Sequence, residues 1–379
     1  MQTLRTPWRA VSAMFILNGA LFGIWASRIP AVAEIHDLSP GRLGGLLLLL
    51  AGGAIVAFPL AGRLADRLGA YRVTWGISYA YVAALILIGL APNFWSLAVS
   101  LFLFGATHGA MDVTMNTWAS EVERKLDRPM MSSFHAMFSL GAGLGAGTGV
   151  LAASYALGLT AHFVTVLPVI TLLALSMAKI GWVSDTSQST DAAPVFIFPK
   201  GPLLAVGFVA FCSSLGEGAM ADWSAIFLVL TAEATEAQAA LGYSVFSVAM
   251  VVMRLLGDRA THLFGPQRTA QTAGVIAATG VLCAVLMGSY LWALFGFALM
   301  GVGYAVIVPL AFARAANDPV LAPGAAIASV STLGYGGLLL GPPVIGFLSE
   351  LTSLRVAFFL LAILAGLMVL CSGAPRRQS

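Results

Sequence analysis

Residues 62–72 read GRLADRLGAYR, a short stretch that carries Arg63, Asp66, Arg67 and Arg72 in a chain with few charges elsewhere. An apolar run lies on each side of this stretch, near 43–62 and near 73–91. Each run has about 20 residues, the length that an α-helix needs to cross ~30 Å of hydrocarbon. The charged stretch therefore predicts a polar connection between two membrane-spanning helices.

The composition of the whole chain supports this interpretation. Of 379 residues, 59% are hydrophobic and only 9% are charged, whereas globular domains have roughly 25% charged residues. So few polar side chains cannot cover a water-soluble body of this size. A soluble enzyme, a nucleic-acid-binding protein and a secreted disulfide protein are excluded. The apolar runs are long and continuous, so they predict helices and not the alternating strands of a β-barrel.

Charged residues, Pro/Gly clusters and polar runs divide the chain into twelve apolar segments. Since each is long enough to cross a bilayer, we predict an all-α membrane protein with twelve transmembrane helices. The segments, numbered 1 to 12, lie near 9–29, 43–62, 73–91, 95–118, 131–155, 159–179, 202–228, 239–257, 269–289, 290–313, 325–348 and 355–373.

The basic residues predict the orientation, because cytoplasmic loops retain Lys and Arg. With the N-terminus inside, sixteen of the nineteen basic residues fall on the cytoplasmic side, and Arg254 near the end of segment 8 is counted among them. Only Arg28, Arg42 and Arg355 fall outside. This asymmetry predicts a multi-pass protein of the cell inner (plasma) membrane with both termini in the cytoplasm. The first segment is too long for the apolar core of a cleaved signal peptide.

A long polar stretch divides the chain into two parts of similar length. We predict an N-terminal six-helix half (1–180), a cytoplasmic linker (181–200) and a C-terminal six-helix half (201–379). Three pairs of similar residues support a duplication. GAYR at 69 and GPQR at 265 are 196 residues apart, Trp25 and Trp223 are 198 apart, and SLG at 139 and TLG at 332 are 193 apart. Tandem halves of six spans are typical of one class of secondary transporter.

The stretch at 62–72 resembles the G-x-L-a-D-R-x-G-r-[KR] signature of the major facilitator superfamily, and the twelve-segment pattern resembles that family over the whole chain. The resemblance implies the major facilitator fold, with two pseudo-symmetric six-helix halves that rock about a site at the membrane midplane. A second copy of the signature near 257–265 is degraded, with Thr261 near the position that matches Asp66.

We expect Gly62, Asp66, Arg67 and Arg72 to form a gate on the cytoplasmic side. Asp66, on a short loop, would accept hydrogen bonds from a helix N-terminus, and the arginines would bind carboxylates across the interface between the halves. The alternative is that these arginines only enforce the topology.

Ionisable side chains within the apolar segments are candidates for the transport pathway, because such groups are costly there unless they are paired or hydrated. Segment 4 carries His108, Asp112 and Asn116 at intervals of four residues, which places all three on one stripe of a helix. Segment 5 brings His135 to a similar depth. We predict that Asp112 and His135 exchange a proton; the alternative is an interhelical hydrogen bond without a role in transport.

Segment 7 carries Glu217 and Asp222, which are too far apart in rotation to face the same cavity wall. Glu217 has no basic neighbour within reach on its own helix. If it is unpaired, we expect a protonated carboxyl group that releases its proton when water enters. Asp222 is expected nearer the outer end, level with Arg28, where a salt bridge between the two would close the outer mouth. Solvation at the helix end is the alternative. We predict Arg254 to form a local ion pair with Asp258.

Aromatic rings on segments 1, 7, 10 and 11 are candidates for stacking on the apolar face of a sugar, while amides bind its hydroxyl groups. Interfacial belts of Trp and Tyr are the alternative explanation. The predicted substrate-binding residues are Asn18, Trp25, His108, Asn116, Trp223, Tyr304 and Tyr335.

Two sequence features predict helix contacts and helix shape. Glycines at 141, 145 and 149 form one row on segment 5 and those at 143 and 147 form another, so close backbone contact is expected on two faces. Gly341-Pro342-Pro343 predicts a bend or a break in segment 11.

Within the superfamily, the chain is most similar to the fucose permease branch. Asp112 to Asn116 resembles that branch's acid-x-x-x-Asn motif, whose carboxylate is implied in proton and sugar handling, and the run from Gly334 to Pro343 is similar too. The branch also has an Asp four residues before a proline in helix 1, where this chain has Ala26 before Pro30. Glu217 on segment 7 is therefore the candidate for the second coupling carboxylate.

These observations predict a secondary active transporter, not an enzyme, that moves a small polar solute, a sugar or related compound, by proton-coupled symport with alternating access. The alternative is a proton-coupled exporter of drugs or metabolites, whose usual Arg in helix 4 and Gly-Pro in helix 5 are absent here. A non-transporting receptor or scaffold would need a larger extramembrane part. We expect protons, a small-molecule substrate and the lipid bilayer as partners, no nucleic acid, no cofactor or metal, and a monomer.

Overall fold

The computed structural model describes residues 6–127, 130–186, 198–320 and 323–372, and within these ranges it contains thirteen α-helices and no strand. The helices are α1 (Pro7–Ile35), α2 (Pro40–Leu68), α3 (Ala70–Leu90), α4 (Phe94–Leu126), α5 (Met131–Ser154), α6 (Leu159–Ala178), α7 (Pro202–Ala232), α8 (Glu236–Phe264), α9 (Pro266–Leu286), α10 (Tyr290–Tyr304), α11 (Ile307–Ala316), α12 (Pro323–Leu351) and α13 (Leu354–Ser372).

Twelve candidate membrane spans result, because α10 and α11 together form one span, Tyr290–Ala315. Each predicted segment coincides with one of these spans, so α12 and α13 correspond to segments 11 and 12. The prediction of an all-α membrane protein with twelve transmembrane helices is confirmed.

The charged stretch at 62–72 differs from the prediction in its backbone. Helix α2 continues to Leu68 and α3 begins at Ala70, so only Gly69 separates the two helices. Asp66 therefore lies in the last turns of α2 and not on a loop, and that prediction was wrong. Gly69 has φ 88°, a conformation that side-chain-bearing residues rarely adopt, which explains the sharp turn at this position.

Segment 10 was predicted as one continuous helix, but it is interrupted at Ala305 and Val306 between α10 and α11. The physical reason is Pro309. It has no N–H to donate to the carbonyl four residues earlier, that of Ala305, and its ring crowds the same carbonyl. The interruption follows Tyr304 directly, so it places this tyrosine at the end of a half-helix.

Helix α12, in contrast, continues through Pro342 and Pro343 without a break. Pro342 cannot donate to the carbonyl of Leu338, which is thereby left without its usual helical partner. Gly218 of α7 packs directly against this carbonyl, so close that an added Cβ would lie within 3.0 Å of the oxygen. The close packing of α7 against α12 at this carbonyl is consistent with the absence of a break in α12 at Pro342 and Pro343.

One of the two glycine rows on α5 makes the predicted close contact. An added Cβ at Gly141 or Gly145 would overlap a backbone carbonyl of α1, and at Gly149 it would overlap the hydroxyl group of Ser27. At Gly147, in the other row, an added Cβ would meet no atom within 4 Å. The prediction for the first row is confirmed, and the prediction for Gly147 was wrong because the space at that position is open.

The chain divides into two compact units. The first comprises Met1–Leu38 and Gly45–Val195, and the second comprises Ser39–Gly44 and Phe196–Ser379. In the first, α1 packs against α5 and α6, and in the second, α7 packs against α12 and α13.

The two units repeat the same local structures. Helices α2 and α8 have 29 residues each, and α3 and α9 have 21 each. In both units a glycine with positive φ, Gly69 or Gly265, joins the two helices. Glycines at matching positions also contact a backbone carbonyl of the first helix of the unit, Gly145 that of Ala20 and Gly341 that of Leu215.

After α6, the chain returns to the ends of α3 and α4 in the first unit. The Trp182 Nε1–H donates to Glu121 Oε2 at 2.9 Å, and the ammonium group of Lys125 lies 4.5 Å from the centre of the Trp182 ring. The Ser184 hydroxyl accepts from the backbone N–H of Tyr71 at 3.0 Å. Since Gly69 has no side chain to cap α3, Ser184 provides the cap from a distant part of the sequence. We call residues 182–185 the strap.

Candidate functional site

The predicted polar stripe lies in the middle of α4. Asp112 and Asn116 are one helical turn apart and both are partly buried. The Asn116 Nδ2 donates to Asp112 Oδ1 at 3.1 Å and to the Asp112 carbonyl oxygen at 2.8 Å. The asparagine thus supplies hydrogen bonds to a carboxylate far from either end of a membrane-spanning helix.

His108, one turn earlier on α4, joins α4 to two other helices. Its Nδ1 lies 2.8 Å from the hydroxyl group of Tyr81 on α3 and 3.1 Å from Oδ1 of Asn18 on α1. The ring of Phe22 stacks on the imidazole, with 4.9 Å between the ring centres. The structure therefore brings the predicted residues Asn18 and His108 together, and it adds Tyr81 and Phe22. We call these four residues the His108 cluster.

His135 lies on α5 with its ring edge against Phe15 of α1, at 5.5 Å between ring centres. Its backbone carbonyl accepts from the Ser139 hydroxyl at 3.3 Å. Proton exchange between His135 and Asp112 stays a prediction.

In the second unit, Glu217 has a partner that the sequence analysis did not foresee. The Arg254 Nη2 lies 3.3 Å from Glu217 Oε1. The side chain of Arg254 is 11% exposed and that of Glu217 is 20% exposed. The condition for a protonated Glu217, the absence of a partner, is therefore not met, because Arg254 of the neighbouring helix α8 pairs with it. The side chain of Asp258, the predicted partner of Arg254, lies outside the described residues.

The Glu217–Arg254 ion pair also changes the interpretation of Arg254. This arginine was assigned to the cytoplasmic side, but it lies within the span Glu236–Gly257 and contacts the middle of α7. Tyr243 of α8, which is buried, is hydrogen-bonded to Ser247 and lies within electrostatic reach of Glu217, Asp222 and Arg254. Charged and hydroxyl groups of α7 and α8 thus form a second polar cluster.

The two residues of the predicted outer gate, Arg28 and Asp222, are both buried. Arg28, on α1 of the first unit, is 2% exposed, and its Nη2 donates to the carbonyl oxygen of Leu157 at 3.0 Å. Asp222, on α7 of the second unit, is 4% exposed. Solvation at a helix end is therefore not the environment of either residue. A salt bridge between them stays a prediction.

The aromatic candidates differ in their surroundings. Trp25 is buried against Phe104, and Trp223 is buried with its Nε1–H donating to the Pro342 carbonyl oxygen at 2.8 Å. The Tyr304 ring is buried against Gly216, and its hydroxyl group has no hydrogen-bond partner within the described part of the chain. Tyr335 is 37% exposed. Stacking of these rings on a solute stays a prediction.

The charged residues of the predicted cytoplasmic gate, Asp66, Arg67 and Arg72, are exposed, and an added Cβ at Gly62 would meet no atom within 4 Å. Their action as a gate stays a prediction.

Two functional candidates were missed, for different reasons. Arg254 interrupts the apolar run VVMRLL at 251–256, so the sequence did mark it as a charge within a span. Tyr81 has no such mark, because it is one of three tyrosines in α3, and only the packing of α3 against α4 reveals its contact with His108.

Comparisons with known proteins define the family. The model of the Major Facilitator Superfamily matches residues 11–320 and 206–378. An uncharacterized transporter, y4wD, of Sinorhizobium fredii is 45% identical over 97% of this chain and 98% of its own length. The membrane protein MosC of Rhizobium meliloti is 32% identical over 96% of this chain and 88% of its own. The chain belongs to the Major Facilitator Superfamily, and it is a multi-pass membrane transporter.

Solved structures have the same fold. The nucleoside transporter NupG has a TM-score of 0.74 at 12% identity, covering 98% of this chain and 100% of its own. The E. coli fucose:proton symporter FucP has a TM-score of 0.63 at 16% identity, covering 98% of both chains. At these identities the likeness concerns the fold alone.

Proposed function

We propose that the protein is a secondary active transporter that moves a small polar solute, in the class of sugars and related polyhydroxy compounds, by proton-coupled symport with alternating access. The observation that carries the proposal is the stripe on α4, where an imidazole, a carboxylate and an amide follow one another at mid-helix with polar partners on α1 and α3. The fold shared with a fucose:proton symporter and a nucleoside transporter supports the same solute class.

In this proposal Asp112 binds the transported proton. Its carboxylate accepts from the amide of Asn116, which donates to the ionised form and remains in place when the proton arrives. A carboxyl group at mid-helix that alternates between these two forms couples proton entry to solute movement, because the neutral form is the less costly one in a closed, dry site.

The test uses the purified full chain in proteoliposomes with radiolabelled L-fucose and uridine as probes. An inward proton gradient is expected to drive accumulation of at least one probe. Asp112→Asn should abolish accumulation but retain exchange between equal concentrations inside and outside. Asp127→Asn is the matched control, because it removes the same charge at the exposed end of the same helix, in a left-handed conformation that Asn adopts well.

Glu217 is the second proposed coupling residue. Glu217→Gln should retain exchange and lower gradient-driven accumulation, since the Arg254 partner would keep a charge that no longer has a counter-charge. Accumulation that is intact in both Asp112→Asn and Glu217→Gln would contradict the coupling scheme. Efflux driven by the same inward gradient would instead identify a proton-coupled exporter.

A further inference from the structure

The two ring nitrogens of His108 have different surroundings. Nδ1 lies within hydrogen-bonding distance of both Tyr81 and Asn18. For Nε2, no hydrogen-bond partner is present in the described ranges of the chain. The roles of the two nitrogens follow from the chemistry of the neighbouring groups.

The orientation of the Asn18 amide is determined by its second contact. Asn18 is fully buried, and its Nδ2 lies 3.5 Å from the sulfur of Met115. A thioether sulfur can accept a hydrogen bond but cannot donate one. The NH2 group therefore faces the sulfur, and the amide oxygen faces His108. The flipped amide would place an oxygen against the sulfur, two acceptors without a proton between them.

The position of the imidazole proton follows from this orientation. Since Asn18 Oδ1 can only accept, Nδ1 of His108 must carry the hydrogen. That N–H points to two oxygens, the Asn18 amide at 3.1 Å and the Tyr81 hydroxyl at 2.8 Å. In the neutral ring, Nε2 then holds a lone pair. Asp112, the nearest carboxylate along α4, accepts from Asn116.

We infer that Nε2 of His108 is a preset acceptor that receives a hydrogen bond from a hydroxyl group of the transported solute, with Asn18 and Tyr81 as positioning residues that keep the proton on Nδ1. This inference rests on the proposed function, and it names the atom of the protein that accepts a hydrogen bond from a hydroxyl group of such a solute. Phe22, stacked on one face of the imidazole, holds the plane of the ring. A buried site that forms a hydrogen bond with a hydroxyl group of its ligand discriminates strongly against an analogue that lacks this group.

The first part of the experiment measures the tautomer directly. The full chain is labelled with ¹⁵N-histidine, and His108 is assigned among the five histidines by the loss of its signals in His108→Gln. The expected spectrum shows a protonated Nδ1 and an unprotonated Nε2. In Tyr81→Phe and Asn18→Leu, which each remove one acceptor of the Nδ1 proton, the share of the other tautomer should rise. A wild-type ring protonated on Nε2, alone or together with Nδ1, would overturn the inference.

The second part measures binding of L-fucose and uridine by thermal shift and follows the Nε2 signal of His108. A bound solute should move this signal, as expected for a nitrogen that accepts a hydrogen bond. His108→Phe keeps a ring against Phe22 but removes the acceptor, and should weaken binding about tenfold. His108→Gln places an amide oxygen near the position of Nε2 and should restore most of the affinity.

The outcomes separate this inference from the proposed function. Proton-driven transport of a solute whose binding leaves the Nε2 signal unchanged would refute the inference and leave the proposed function intact. A responsive Nε2 signal without proton-driven transport would support the inference and refute the coupling. A protein that binds neither probe would count against both.

Discussion

Glu217 and Asp112 show how differently a membrane helix can hold a carboxyl group. Glu217 has a cationic partner at 3.3 Å, whereas Asp112 accepts from the neutral amide of Asn116. An ion pair in a low-dielectric region is strong only as a pair, because the loss of one partner leaves a charge without compensation. The neutral amide of Asn116 leaves no uncompensated charge when Asp112 takes up a proton, so it can remain next to the carboxyl group in both forms.

A double-mutant cycle tests the Glu217–Arg254 ion pair. Arg254→Gln and Glu217→Gln should each lower the free energy of unfolding by about 1–3 kcal/mol, less than for a fully buried pair because both side chains are partly exposed. The double variant should be more stable than the sum of the two losses predicts. The apparent Tm in detergent measures all three.

Arg259→Gln is the control for this cycle, because it removes a charge from the exposed end of the same helix. A loss of stability in Arg259→Gln as large as in Arg254→Gln would show that removal of any positive charge from α8 has this effect. Strictly additive losses in the double variant would contradict the ion pair.

At the scale of helices and connections, the break between α10 and α11 depends on a nearby residue, whereas the position of the strap depends on residues far away in the sequence. The break between α10 and α11 lies next to Pro309, whose missing N–H can be read directly from the sequence. The sequence marks the place of a possible break but not its occurrence, since α12 continues through Pro342 and Pro343. The strap could not be predicted in this way. Trp182 is 61 residues from Glu121 and Ser184 is 113 residues from Tyr71, so only folding brings these groups together.

Trp182→Ala tests whether the strap stabilises the first unit. Glu121 is 2% exposed, and the variant would leave its carboxylate without the indole donor. We expect a loss of about 1–3 kcal/mol in the free energy of unfolding, visible as a lower apparent Tm. The backbone N–H of Tyr71 should also exchange faster with deuterium, since Ser184 would no longer be held in place.

Val183→Ala provides the control, because Val183 lies in the same segment but is 82% exposed. Equal Tm values for Trp182→Ala and Val183→Ala would show that the strap makes no contribution to stability.

At the scale of the whole molecule, the two units repeat a helix contact that depends on glycine. In both, a glycine of a later helix lies against a backbone carbonyl of the first, so there is no room for a methyl group. Close contact of this kind stabilises helix pairs in membranes through packing, because burial from water contributes little there. The same type of helix contact therefore occurs in both compact units.

Gly145→Ala and Gly341→Ala test this repeated contact, one in each unit. Each added methyl group would lie within 3.0 Å of a carbonyl oxygen, so the helices must separate, at a cost of about 1–3 kcal/mol in the free energy of unfolding. Both variants should lower the apparent Tm by similar amounts.

Gly147→Ala and Gly336→Ala are the matched controls, because an added Cβ at either position meets no atom within 4 Å. They should keep or slightly raise the Tm, since Ala is the better helix former. If Gly145→Ala and Gly341→Ala behaved as the controls do, the proposed contact would be refuted.

The twelve spans could be determined from the sequence, because the thickness of a bilayer and the cost of an unpaired backbone require long apolar helices, and both act locally along the chain. The candidate residues on α4 could be found for the same reason, since charge is scarce there. Their partners could not. Whether Glu217 meets Arg254, or His108 meets Tyr81, depends on which helices are neighbours and how each is rotated, and that is decided only by tertiary packing.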